Sequence, residues 1–184
     1  MWLRTFGGLL IAVVIAGLLF PAVSIHRDGG DRKSEAKTAV VGLSAALKAY
    51  YTEYGKWPDF TGNGLFVDEK RQAQLMRTLC GKDEASNPRK IVFFEGKIAT
   101  KKTSFSDRYS SGFHPETGVF LDTWGNPYRI AIDADYNEQI TNPYSDDPAV
   151  QRPVIVWSLG KDGKQGSPTN PHTFKGSDDV TSWQ

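Results

Sequence analysis

The residues of this chain that could do chemistry gather at its end. "VWSLGKDGKQGS" begins at Val156 and the chain closes on "DDVTSWQ", so Asp162, Asp178 and Asp179 are set among Gly160, Gly163 and Gly166. Carboxylates in a glycine-rich backbone are poor core material and mark a loop that something must organise. A second acidic stretch, "DADYN" at Asp133, Asp135 and Asn137, matches the first half of an EF-hand loop. Glu138 stands where that loop needs glycine and Tyr144 where it needs glutamate, so the stretch reads as a turn between strands. His26, His114 and His172 are far apart, and no GxSxG elbow, P-loop or HExxH occurs. No acid/base pair stands out either, and the expectation is a protein without catalytic activity. Cys80 is the lone cysteine, which excludes an internal disulfide and a thiolate zinc cluster.

The 184 residues leave room for one domain and an appendage, with 22 Lys+Arg balanced by 21 Asp+Glu. The densest basic run, "GKIATKKTSFSDR", is short and reads as a solvated strand and loop. Nucleic-acid binding, which needs a basic stripe to displace counterions, is not expected.

From Phe6 to Ile25 the sequence "FGGLLIAVVIAGLLFPAVSI" carries no charge and holds twelve Leu, Ile, Val or Phe. A helix of that length spans roughly 30 Å, the thickness of a hydrocarbon core. A membrane segment is therefore expected, with Phe6, Leu10, Val14, Leu18 and Ile25 along it. The same run, behind "MWLRT" and ahead of Ala22-Val23-Ser24, also fits a signal peptide cut near Ser24. Both readings stand at this point: a membrane-anchored protein, or a secreted or periplasmic module freed by cleavage.

After "HRDGGDR", Val40, Leu43, Leu47, Tyr50 and Tyr54 recur at three- and four-residue steps. This predicts an amphipathic helix over Ser34–Tyr54, capped by Ser34 and stopped by Gly55 and Pro58. A second helix is expected from Asp68 to Leu79, with Leu75, Met76 and Leu79 inward and Gly81 as its stop. "RKIVFFEGKI", "GVFL", Tyr128–Asp133 and "PVIVWSLG" are strand candidates, the last central in a small antiparallel sheet. Trp124, Gly125, Asn126, Pro127 and Tyr128 form a tight structural turn between two of them.

Four of these segments resemble the G-type (major) pseudopilins of type II secretion systems, which are type IV pilin-like proteins. "LKAYYTEYGKWP" is similar to their "Y…GxYP" hallmark and "LDTWGNPYRI" to "DPWGNPYxY". "WSLGKDGKQG" is similar to "SxGADGxxGG" and "DDVTSW" to "DIxxW". The motifs keep the family order from Leu47 to Trp183, while residues 61–117 are not covered. The usual glutamate at the start of the apolar segment is missing.

The resemblance implies an α+β, pilin-like fold. Its long N-terminal helix, transmembrane in one half and amphipathic in the other, would pack on a small antiparallel sheet with a C-terminal metal-binding loop. Residues 1–33 would be membrane segment and hinge, and 34–184 the globular domain. The implied role is a structural subunit that supports protein secretion in a filament, as a homo-oligomer or with other pseudopilin subunits and inner-membrane secretion components. It would sit single-pass in the inner membrane with its C-terminal domain periplasmic. The resemblance also implies a calcium ion held by Asp162 and Asp179, with Asp178 and the carbonyls of Leu159 and Thr181 as further donors. Two carboxylates plus loop carbonyls are the hard oxygens that calcium prefers.

Overall fold

The computed structural model describes residues 30–58, 68–104, 107–144, 149–166 and 177–184. Two helices, α1 (Gly30–Tyr54) and α2 (Glu69–Leu79), precede five short strands: β1 (Gly112–Phe113), β2 (Phe120–Leu121), β3 (Arg129–Ile132), β4 (Val154–Ser158) and β5 (Val180–Thr181). β1 and β2 form a two-stranded antiparallel sheet. β3, β4 and β5 form a three-stranded one in that order, with β4 central.

The three- and four-residue stripe of α1 becomes the main core. Ala36, Val40, Leu43, Leu47 and Tyr50 are buried, together with Ile130, Ile132, Val154, Val156 and Val180 from the sheet. Each such side chain contributes about 1.5–3 kcal/mol by leaving water. β4 is buried along its whole length, and its side chains alternate between two cores. Val154 and Val156 face α1, while Ile155 and Trp157 join Ala131, Ile140 and Leu159 on the other side of the sheet.

Gln72 ties α2 to the strands. Its Nε2 donates to the Tyr128 carbonyl at 2.5 Å and its Oε1 accepts from the Phe120 amide at 3.2 Å. Asp68 caps α2 by accepting from the Arg71 amide at 2.9 Å, and Gly81 ends it at φ +71°.

Several expectations are corrected. α1 starts at Gly30, and Ser34 lies inside it, accepting from the Thr38 hydroxyl at 3.0 Å instead of capping. The segment 91–98 forms no strand beyond an isolated pairing of Ile98 with Phe113. The Phe93 and Phe94 amides both donate to the Leu79 carbonyl at the end of α2, so they cannot serve a ladder.

The largest correction concerns the membrane. Among the described residues no helix is long and apolar enough to cross one, so the long N-terminal helix with a transmembrane half is not seen. α1 carries Asp31, Arg32, Lys33, Glu35, Lys37, Lys48 and Glu53, charges that do not belong in hydrocarbon. What the structure has is an α+β mix of two helices and two small antiparallel sheets. A single-pass inner-membrane placement is not supported. The expected membrane segment, with Phe6, Leu10, Val14, Leu18 and Ile25, lies outside the described residues.

Candidate functional site

β4 delivers the chain to the loop at Leu159. Gly160 and Gly163 take left-handed φ values of +66° and +67°, which glycine adopts without the Cβ penalty. Asp178 stitches this turn from the far side: its Oδ2 accepts from the amides of Lys161 and Asp162, the latter at 3.2 Å. A Cβ on Gly160 would lie 2.6 Å from the Asp178 carboxyl carbon, so only glycine lets Asp178 approach. The exposed Asp162 folds onto its own turn, its Oδ1 accepting from the Lys164 amide at 2.8 Å.

Asp179 is the buried member of the group, at 7% exposure. Its Oδ2 accepts from the Gly166 amide at 2.8 Å. Its Oδ1 is buried without a well-formed hydrogen bond. The Tyr144 phenol neighbours the carboxylate, and the Asp179 charge together with burial pushes that phenol's pKa up. Burial pushes the Asp179 carboxyl above its ordinary range, against the opposing effect of the Gly166 amide and of the Ser177 and Tyr144 hydroxyls. The nearby Asp178 charge adds to the rise.

β5 then seals the sheet, pairing Thr181 with Trp157 and Val180 with Ser158. The Thr181 carbonyl accepts from Lys37 Nζ at 2.8 Å, so an ammonium already holds that oxygen. The same ammonium reaches the Gln184 carbonyl, which ties the chain's end to α1. Trp183 rests edge-on against Trp157 with ring centroids 5.9 Å apart, and 6.2 Å from Tyr144.

A partner to the loop, not singled out from sequence, is Asp122. It is fully buried and accepts three hydrogen bonds: Oδ1 from the amides of Trp124 at 2.9 Å and Asn126 at 2.8 Å, and Oδ2 from the Ser158 hydroxyl at 2.5 Å. Ser158 in turn accepts from the Gly160 amide at 3.0 Å, and Asn126 Nδ2 donates to the Gly160 carbonyl at 2.7 Å. The "DTWGN" turn and the glycine loop are therefore one hydrogen-bonded unit. Burial pushes the Asp122 carboxyl up, with the Ser158 hydroxyl and the Asn126, Trp124 and Gly125 amides working the other way. The sequence signal was present, since Asp122 and Ser158 each stand inside a quoted motif, but their contact is across the fold.

Gly125 sits at φ +95°, and a Cβ there would lie 2.8 Å from the Tyr109 carbonyl. Pro127 bridges to Leu121, and Tyr128 is buried and stacked on Phe120 with centroids 5.2 Å apart. Gly125→Val should therefore destabilise by at least about 1–3 kcal/mol from backbone strain alone. A thermal melt unchanged from wild type would contradict this account of the turn.

Among the described residues no three His, Cys, Asp or Glu side chains converge as a metal cluster. His114 Nδ1 accepts from the Glu116 and Thr117 amides in a local turn, Cys80 is half-buried, and His26 and His172 lie outside the described residues. In the "DADYN" loop Asp133 accepts from the amides of Asn137 at 3.1 Å and Glu138 at 2.7 Å. Searched against protein-family models, curated proteins and solved structures, the chain matches none of them.

Proposed function

We propose that this chain is a non-catalytic, pseudopilin-like structural subunit of a type II secretion assembly, working with copies of itself and other pseudopilin subunits, whose C-terminal loop is stabilised by calcium. The observation that carries the calcium reading is the buried Asp179 carboxylate with Oδ1 left without a well-formed hydrogen bond. Buried carboxylate oxygens are ordinarily satisfied, and an unmade one is costly. By type the donors suit a hard cation: the carboxylates of Asp162, Asp178 and Asp179 and the Leu159 carbonyl. Thr181 is the weakest of the expected donors, because Lys37 competes for its carbonyl. Calcium would supply positive charge and oxygen coordination, joining the two ends of the loop. The protein's own part is to hold the loop in place through Asp122, Ser158 and Asn126.

The test is a melt of the protein in calcium and in chelator, across pH. Binding to the folded state alone adds about 2.7 kcal/mol at a hundredfold excess over Kd, or about 5–10 °C in Tm for a chain of this size. The pH dependence has a definite sign. The Asp179 pKa is raised on folding without metal, so its contribution is fully present below the ordinary carboxylate pKa and is lost as pH rises through the higher folded value. In chelator, stability should fall between acid and neutral pH. Calcium favours the ionised form, so the gap between the two melts should widen over the same window. Asp179→Asn should abolish the gap. Superimposable melts at neutral pH would dismiss the calcium reading.

A further inference from the structure

At the end of β4 opposite Leu159, a pocket of about 280 Å³ opens between the C-terminal turns of α1 and the loop after β3. Its walls are Tyr51, Trp57 and Tyr136, with Lys48, Asp133 and Glu138 around them. Tyr51 lies 4.6 Å from Trp57 and 6.1 Å from Tyr136, centroid to centroid, so the three rings form a continuous aromatic surface. Trp57 is 95% buried (5% exposed), and its indole Nε1 has no hydrogen-bond partner among the described residues. An indole is a donor only, and a buried donor left unmade carries a desolvation cost.

The loop that forms the other wall is held under strain. Tyr136 and Glu138 have φ values of +59° and +62°, conformations that cost a non-glycine residue of order 1–3 kcal/mol each. Asp133 offsets this by accepting from the Asn137 and Glu138 amides, one on each carboxylate oxygen. The result is a half-exposed Tyr136 ring above the pocket and the Glu138 carboxylate at its rim. A concave site that joins aromatic side chains to a few polar groups is a usual form of small-ligand site.

We propose that this pocket binds a neutral pyranose ring, as a free sugar or as the end of a glycan. The chemistry discriminates among ligands. Lys48 requires a ligand acceptor, which an organic cation lacks. Asp133 and Glu138 repel an anion, while Glu138 accepts from hydroxyls. A pyranose carries donors and acceptors on its edge and an apolar C–H face to lie against the tyrosines. The proposal is independent of the calcium reading and of the assembly role.

The experiment follows the Trp57 indole N–H by NMR on the full chain during titration. The probes are glucose, galactose, mannose and N-acetylglucosamine, their β-linked tetramers, and tetramethylammonium chloride and sodium acetate as charged controls. At least one neutral sugar should shift the resonance saturably in the millimolar range. Tighter binding of the tetramer assigns a glycan end; equal binding assigns a free sugar. Tyr136→Asn tolerates the positive φ and should weaken binding about three- to tenfold. A resonance unmoved by every sugar overturns the proposal. So does a shift caused by either charged control instead, or a sugar shift undiminished in Tyr136→Asn.

Discussion

Asp122→Ala is expected to destabilise the protein by about 3–5 kcal/mol, because it strands the buried Ser158 hydroxyl and takes the acceptor from the part-buried Trp124 and Asn126 amides. The damage should spread, since Ser158 and Asn126 also hold the Gly160 amide and carbonyl. Proteolysis in residues 160–166 should therefore accelerate in the variant.

Asp122→Asn separates geometry from charge. The amide oxygen can keep both backbone donors, and its nitrogen can donate to a Ser158 hydroxyl that turns round, so the loss should stay within about 1 kcal/mol. Burial raises the Asp122 pKa on folding, so its favourable contribution is present below the ordinary carboxylate pKa and fades as pH rises through the folded value. The asparagine variant should lack that share of the pH dependence. Urea unfolding at several pH values measures both effects. Equal losses for Ala and Asn would show that the hydrogen bonds are not what Asp122 contributes.

The second large effect is expected at Trp157, the biggest fully buried side chain, on central strand β4. Trp157→Ala should cost about 3–5 kcal/mol, the range for deleting a large aromatic from a core. The lost ring supports Trp183 edge-on and shares its cluster with Ile140, Ile155 and Leu159. The cavity would thus open under β5 and the loop, while the α1 face of β4, built from Val154 and Val156, stays intact. Thermal melts and limited proteolysis should show early release of residues 177–184 with α1 still protected. A uniform loss of protection would mean that the two faces of β4 are not separable.

The two proposed sites stand at opposite ends of β4. Loop and turn residues at one end meet through Asp122, while the aromatic pocket at the other is held by Asp133. Each relies on one buried carboxylate: Asp133 gives both oxygens to backbone amides, while Asp122 gives one to two amides and the other to the Ser158 hydroxyl.

What the sequence determined by itself was local. The stripe from Val40 to Tyr50, the Asp68 and Gly81 signals around α2, and the apolar run of β4 all follow from periodicity and capping, which depend only on near neighbours. The glycine stops of the two helices, Gly55 and Gly81, were legible for the same reason, and both are left-handed. Tertiary structure decided the rest. "IVFF" has strand composition, yet the Phe93 and Phe94 amides went to the Leu79 carbonyl and the Ile91 amide to the Asn87 side chain, because the end of α2 and its following turn offered acceptors first. Asp178, and not Asp162, makes the contact that closes the glycine turn, since Gly160 leaves room for it. Asp122 looked like a turn residue and became a buried keystone, because β4 brings Ser158 against it from 36 positions away along the chain. Such pairings depend on which elements pack together, and a linear pattern carries no record of that.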